Sequence, residues 1–275
     1  MTAPGVGLTL PSFVHDPDEV FAVVHAAEAA GLDGVFVYDH IFRVAKDGTH
    51  RPALEMTALL SAVVAESSTI HVGVLVTRAS LRPAALTALT LETADRISGG
   101  RVVTGIGAGD RESEHENEQF GLPFGSLDDR LAQLRAAVRA SRDRGFPVWV
   151  GGLHAQVRAL AAAEADGWNR WGGPVERFGG QAAEVRAAAV RDPFVCSWGG
   201  LVVLADTDAA ATEKAQRLGA GPGTIVGGIE TVTDAFADYV AAGAGWVIAG
   251  PVDSRDPANA ETLAAVKAGL STRAS

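Results

Sequence analysis

The sequence predicts an α/β fold, with eight parallel strands and eight helices closed into a (β/α)8 barrel. Three observations predict it. Short apolar segments alternate with Ala-rich helical segments from end to end of the 275 residues. The strand candidates are near-continuous apolar runs, as in a parallel sheet covered on both faces. About eight β-then-α units follow one another with no linker, repeat or low-complexity break, and that count at this length fits a TIM barrel. A doubly wound open sheet is the alternative. It has fewer strands, and its glycine-rich turn follows the first strand rather than the fourth. Residues 1–275 are therefore expected to form one domain.

The elements can be justified in order. Val6–Pro11 is the first strand. Asp16 then serves as N-cap, with Pro17 in the first turn and Glu19 reaching back. Val20, Val24 and Ala27 give this helix its apolar face, and Gly31 ends it. Gly34–His40 is the second strand, Pro52–Glu66 a helix and Ile70–Thr77 the third strand. Pro83–Ile97 is a helix with Leu86, Leu89, Ala94 and Ile97 as its expected buried side, ended by Gly99 and Gly100. Arg101–Gly109 is the fourth strand. Leu127–Arg142, Ala155–Ala165 and Val175–Val190 are helices; Pro147–Gly152, Gly167–Gly173 and Phe194–Ala205 are strands, the last interrupted at Gly199-Gly200. Thr207–Leu218 and Thr231–Ala242 are helices, Trp246–Val252 is the last strand, and Asp256-Pro257 opens a final helix to about Leu270.

Composition limits the function. Hydrophobic residues make up 47% of the chain, and the mean hydropathy of +0.15 fits a globular protein with a sizeable core. No apolar run approaches the roughly 20 residues of a membrane span, and no signal peptide precedes the first strand. A single cysteine, Cys196, is expected in the core and fits a reducing cytoplasm. A net charge of −10 argues against nucleic acid or an anionic membrane as partner. Metal-ligand spacings, a Gly-x-Ser-x-Gly elbow and a P-loop are all missing, which disfavours metallohydrolase, serine hydrolase and nucleotide-hydrolase readings.

In a barrel, chemistry sits on the loops after the strand C-termini. That rule singles out Asp39-His40, whose imidazole can exchange a proton near neutrality. It also singles out the end of the fourth strand, Gly105-Ile-Gly107-Ala108-Gly109-Asp110. Alternating glycines there imply that something flat or bulky lies against the backbone. Gly151-Gly152-Leu153-His154 opens a helix, where free amides and the helix dipole suit a phosphate. The charged run Arg111–Glu118 reads as a solvated loop or helix turn. Of Trp168 and Trp171, one is expected in the core and one in the pocket. His25 and His71 are expected to be structural.

Taken in order, these motifs resemble the luciferase-like monooxygenase family. The matching pieces are Ala27-Glu28-x-x-Gly31-x-Asp33-Gly34 with Asp39-His40, then Ser98-Gly-Gly-Arg-x-x-x-Gly-x-Gly-Ala-Gly109 with Phe120-Gly121. Pro147-Val-Trp-Val-Gly-Gly152 and Ala165-Asp-Gly-Trp-Asn169 complete the series. The resemblance implies a barrel that binds the deazaflavin coenzyme F420 or FMN, acts on a small-molecule substrate and forms a homodimer. Asp110 tilts the expectation toward the F420-dependent oxidoreductase branch, in which a hydride passes between cofactor and substrate. An FMN-dependent monooxygenase and a non-catalytic cofactor-binding protein are the alternatives. By position, His40 and Asp110 match catalytic or proton-handling sites. Asp39, Gly73, Val74, Gly107, Ala108, Gly109, Gly151, Gly152, Leu153 and His154 match cofactor-binding positions. Gly73-Val74 matches a bulge with a non-proline cis peptide. The segment from Arg130 to Pro147 is short where relatives carry a long insertion over the pocket. Arg43, Lys46, Arg78, Arg111 or Arg158 would have to draw a polyanionic cofactor tail to this acidic chain.

Overall fold

The computed structural model describes residues 3–44 and 48–273, with the side chains of Arg111 and Glu112 left aside. Lys46 thus lies outside the described residues. The chain runs β1 (Gly5–Thr9), α1 (Asp18–Ala29), β2 (Gly34–Val37), β3 (Phe42–Val44), β4 (His50–Pro52), α2 (Met56–Glu66), β5 (His71–Arg78) and α3 (Ala84–Ser98). It continues with β6 (Val102–Gly107), α4 (Arg111–Gln119), α5 (Leu127–Arg142), β7 (Val148–Gly151), α6 (Ala155–Glu164), β8 (Gly167–Trp171) and α7 (Val175–Ala188). The last elements are β9 (Val195–Leu204), α8 (Asp208–Leu218), β10 (Ile225–Gly227), α9 (Ile229–Ala241), β11 (Trp246–Pro251) and α10 (Ala258–Arg273).

Eight strands close on themselves in the order β1-β2-β5-β6-β7-β8-β9-β11, all parallel. This is the expected TIM barrel. β9 is continuous through Gly199 and Gly200 and outruns β8, and the short β10 pairs with its free upper edge at Val202–Leu204. An antiparallel hairpin, β3–β4, leaves the mouth after β2, so the second helix starts at Met56 rather than Pro52.

Two cores hold the barrel. Outward residues such as Val35, Val72, Ile106, Val150, Trp168 and Trp198 pack under the helices. Inside, the N-terminal end is filled by Phe36, Trp149 and Trp246, whose rings meet edge-on at 5.8 Å and 6.2 Å. Glycine makes room for them. A Cβ on Gly73 would lie 2.5 Å from Phe36, and one on Gly167 would lie 2.6 Å from Trp149. Cys196 is buried in the outer core, as expected.

Two expectations are corrected here. The buried side of α3 is Thr87, Ala88, Leu91, Ala94 and Ser98, whereas Leu86, Leu89 and Ile97 are exposed. Side-chain size misled the reading: the helix packs by its small residues and one leucine. The β5 bulge lies between Val74 and Thr77, and the non-proline cis peptide is Leu75-Val76, not Gly73-Val74. Gly73 and Val74 sit in regular register with Val103 and Thr104. Gly73 is glycine because Phe36 occupies the space its side chain would need.

Many of the motif acids staple the N-terminal face of the barrel. Glu28 Oε1 accepts from the amides of Ser68, Thr69 and Ile70 and from the Thr69 hydroxyl. Asp33 accepts from the Val6 amide and pairs with Lys267 at 2.7 Å, and Asp166 accepts from the Val148 amide. Arg101 reaches the carbonyls of Ser98, Ile70 and Ser67. This is where residues serving barrel stability are expected.

Replacing Gly73 by alanine should overpack the interior, lowering stability by about 1–3 kcal/mol as a drop in the urea midpoint at constant slope. The loss should shrink in a Phe36→Leu background, because the two side chains contend for one space. A second outcome concerns acid. Burial pushes Glu28 up, but three amides and a hydroxyl outweigh it and hold the carboxyl at about 2. Its folded value is below the unfolded one, so its contribution is present above about pH 4.5 and lost as pH falls toward 2. Glu28→Gln should cost about 1–2 kcal/mol at neutral pH and flatten this part of the acid-unfolding curve.

Candidate functional site

The site is built at the C-terminal ends of β2, β5 and β6. Phe36 points into the barrel, and Tyr38 and His40 lie in the loop that follows the end of β2 at Val37. Tyr38 lies edge-on to His40 at 5.9 Å and packs on Phe13 at 5.4 Å. Burial raises the Tyr38 phenol, although Ser12 partly offsets this, and the phenol oxygen accepts from the Ser12 amide.

His40 is held from an unexpected direction. Its Nδ1 lies 2.5 Å from Glu116 Oε1. Glu116 belongs to the charged run expected to be solvated. That run forms α4, and among its described side chains Ser113, Glu116 and Asn117 are buried, at helical spacing of three and four. Glu116 Oε2 accepts from the Ile41 amide at 2.7 Å and from Arg78 Nη2 at 2.9 Å. Arg78 Nη1 reaches Asn117 Oδ1 at 3.2 Å and the Ser113 carbonyl at 3.4 Å. Burial raises the Glu116 carboxyl; bonding and charge from His40, then the Ile41 amide and Arg78, bring it below its ordinary range. Burial lowers the Arg78 guanidinium against the pull of Glu116, Asp39 and Asp110.

Asp39 is buried, and both its oxygens are taken. Oδ2 accepts from Thr77 Oγ1, the Arg78 amide and Arg82 Nη1 at 2.7–3.0 Å, and Oδ1 accepts from Arg82 Nη2 at 3.2 Å. Arg82 also pairs with Glu55, the N-cap of α2. Asp39 therefore faces β5 and its following loop, beside the site rather than open to it.

Asp110 caps α4. Its Oδ1 accepts from the Ser113 amide at 3.0 Å and the Ser113 hydroxyl at 2.8 Å, and the Asp110 amide donates back to Ser113 Oγ. Partial desolvation by the surrounding protein raises its carboxyl, and Ser113 outweighs that, with His40 and Arg78 adding to a net lowering. Asp110 is exposed, and its Oδ2 takes no part in the capping bonds.

The alternating glycines have a partner within the protein. A Cβ on Gly105 would meet Leu75 at 2.6 Å, and one on Gly107 or Gly151 would meet Val76 at 2.4–2.5 Å. The β5 bulge therefore pushes Leu75 and Val76 into space left open by three strand glycines, making an apolar shelf in the mouth. After Gly107 the chain continues with Ala108, buried in the core, and Gly109 turns it with φ +78°.

The turn Gly151–His154 leads into α6. The Gly152 amide donates to the Asn169 carbonyl, and Trp168 Nε1 donates to the Gly152 carbonyl. His154 Nδ1 accepts from the Gln156 amide as N-cap. The amides of Leu153 and His154 find no acceptor among the described residues. Of the cations expected to gather a polyanion, Arg158 is near, bound to the Leu153 carbonyl and Glu184. Arg78 is committed to Glu116, Arg43 lies over Phe13 and the Arg111 side chain is outside the described residues.

On the far wall, Asn169 Nδ2 donates to Ser197 Oγ at 2.9 Å. Trp168 is buried in a stack on Phe178, whereas Trp171 is 42% exposed and lies against Gly199 and Gly250. Among the described residues, no group of three His, Cys, Asp or Glu is placed to hold a metal ion. Among the described residues, no helix is long and apolar enough to cross a membrane.

Replacing Asp110 by alanine should cost about 1 kcal/mol through loss of the α4 cap, read by urea unfolding. Asn, itself a good cap, should restore most of it.

This chain resembles known proteins in sequence and in fold. An F420-dependent glucose-6-phosphate dehydrogenase of Beutenbergia cavernae is 29% identical over 189 residues, 66% of this chain and 53% of that protein. One from Mycobacterium avium is 29% identical over 188 residues, 66% of this chain and 54% of its own length. The chain thus spans about half the length of these relatives. Among solved structures, an F420-dependent secondary alcohol dehydrogenase in complex with an F420-acetone adduct superposes with a TM-score of 0.81. It is 15% identical, with 98% of this chain and 99% of that chain covered. The EDTA monooxygenase of Chelativorans sp. BNC1 also gives 0.81 at 13% identity, over 98% and 94% of the two chains. The family model for luciferase-like monooxygenases matches residues 1–144 and 136–263, and the chain belongs to that family.

Proposed function

We propose that this chain is an oxidoreductase that uses coenzyme F420 and transfers a hydride between it and a small organic substrate at the barrel mouth. Residues 1–275 would act as one domain, in a cytoplasmic homodimer. The observation that carries the reading is the apolar shelf of Leu75 and Val76 on β5 together with His40 and its buried carboxylate partner just past the end of the adjacent β2. The F420-dependent names of the sequence relatives support it.

The residues present fit such a group. An apolar shelf suits a flat ring system, and the two amides without acceptors at the start of α6 suit a phosphate. Val76, with Gly107 and Gly151 against it, would carry the ring, and Ala108 and Gly109 would border it at the end of β6. Gly152, Leu153 and His154 would hold the phosphate, and Gly73, Val74 and Asp39 would support β5 from below and beside. When bound, F420 supplies a ring carbon that gives or takes a hydride. His40 would hold the proton exchanged with a substrate oxygen as a carbon–hydrogen bond is made or broken. Asp110, with Oδ2 outside the cap, is the second proton-handling candidate.

Titrating the purified protein with F420 and with FMN, followed by fluorescence, tests the reading. Saturable F420 binding with weaker FMN binding is expected, together with F420 reduction by an alcohol or oxidation of its reduced form by a carbonyl compound. Tight FMN binding with none for F420 would overturn it in favour of an oxygen-using monooxygenase. F420 binding without turnover on any substrate would favour a carrier.

A further inference from the structure

We propose that Glu116 is the positioning residue for His40: it fixes the ring proton on Nδ1 and leaves Nε2 as the nitrogen that exchanges protons with substrate. The assignment of a proton-exchange role to His40 rests on the function proposed above; the tautomer assignment does not.

The geometry determines the donor. An ionised carboxylate only accepts hydrogen bonds. Glu116 is buried, is joined to Arg78 at 2.9 Å and accepts from the Ile41 amide, so its charge is matched and its Oε2 is filled by two donors. Oε1 remains, 2.5 Å from His40 Nδ1. The proton between them belongs to Nδ1, since the oxygen has none to give. In the neutral imidazole the other nitrogen, Nε2, then carries the lone pair. The His40 side chain keeps 29% of its surface exposed while that of Glu116 keeps 5%, so one partner meets solvent and the other does not.

The same contacts dictate what happens when the carboxylate becomes an amide. In Glu116→Gln, the Ile41 amide and Arg78 both still donate to the Oε2 position. Only the amide oxygen can sit there, which turns the NH2 toward His40. An NH2 at that place donates to Nδ1, so the ring proton must move to Nε2. A change of one atom type therefore reverses the tautomer without removing a hydrogen bond.

Nitrogen-15 NMR of the imidazole-labelled protein, without cofactor, tests this directly. The wild-type His40 should show a protonated Nδ1 and an unprotonated Nε2 in its neutral form, and Glu116→Gln should show the reverse. A wild-type ring protonated on Nε2, or a variant with the wild-type tautomer, would overturn the proposal. Should the variant fail to fold, the wild-type spectrum alone decides. With F420 and a turned-over substrate, Glu116→Gln should lower kcat at least about 10-fold with the F420 Kd within about twofold. Adding Glu116→Gln to His40→Ala should lower kcat no further, because a positioning residue acts only through the group it positions. A further loss in the double variant would overturn that role. If F420 fails to bind the wild type, the functional reading falls while the tautomer result stands.

Discussion

The ion pair between Arg78 and Glu116 is the contact on which the site depends. It is buried on both sides, and it joins the end of β5 to α4, which follows β6. Through Glu116 it reaches His40 and Ile41 after β2, and through the Arg78 amide it reaches Asp39. Three successive barrel loops are thereby tied at one guanidinium–carboxylate contact. Removing one member of such a pair leaves the other as an uncompensated buried charge, so the loops hold together or loosen together. Asp39 and Arg82 form a second layer behind it and extend the tie to Glu55 at the start of α2.

The interior of the barrel is organised by a trade between small and large residues. At the bottom, Gly73, Gly34 and Gly167 yield to Phe36, Trp246 and Trp149. Higher up, Gly105, Gly107 and Gly151 yield to Leu75 and Val76. At the rim, Gly199 and Gly250 yield to Trp171. In each layer a few bulky groups fill space that many strands leave open. That accounts for glycines in strands, where their cost in backbone entropy would otherwise count against them.

Much of this was legible in the sequence. Parallel strands announce themselves as short apolar runs because both faces are covered, and the helix breaks fall at glycines such as Gly99, which adopts φ +74°. The partners of those glycines were not legible, since the clash of a Cβ with a residue on a neighbouring strand depends on register. The family resemblance places the bulge at Gly73-Val74, and the structure places it two residues further on. By size the larger apolar residues of α3 read as its core side, whereas Leu86, Leu89 and Ile97 are exposed. Glu116 is hidden by its neighbours: four acids in the eight residues Arg111–Glu118 look solvated. The signal was the Asp110–Ser113 cap, which starts a helix, and a count of three and four from Ser113 then picks out Glu116 and Asn117. Burial of a charge is a tertiary fact, and it needed Arg78 from another strand to be affordable.

The aromatic filling of the lower barrel has a consequence for traffic. With Phe36, Trp149 and Trp246 closing the N-terminal end, the fold is a cup rather than a tube. Any molecule that reaches the shelf at Val76 enters and departs by the same rim.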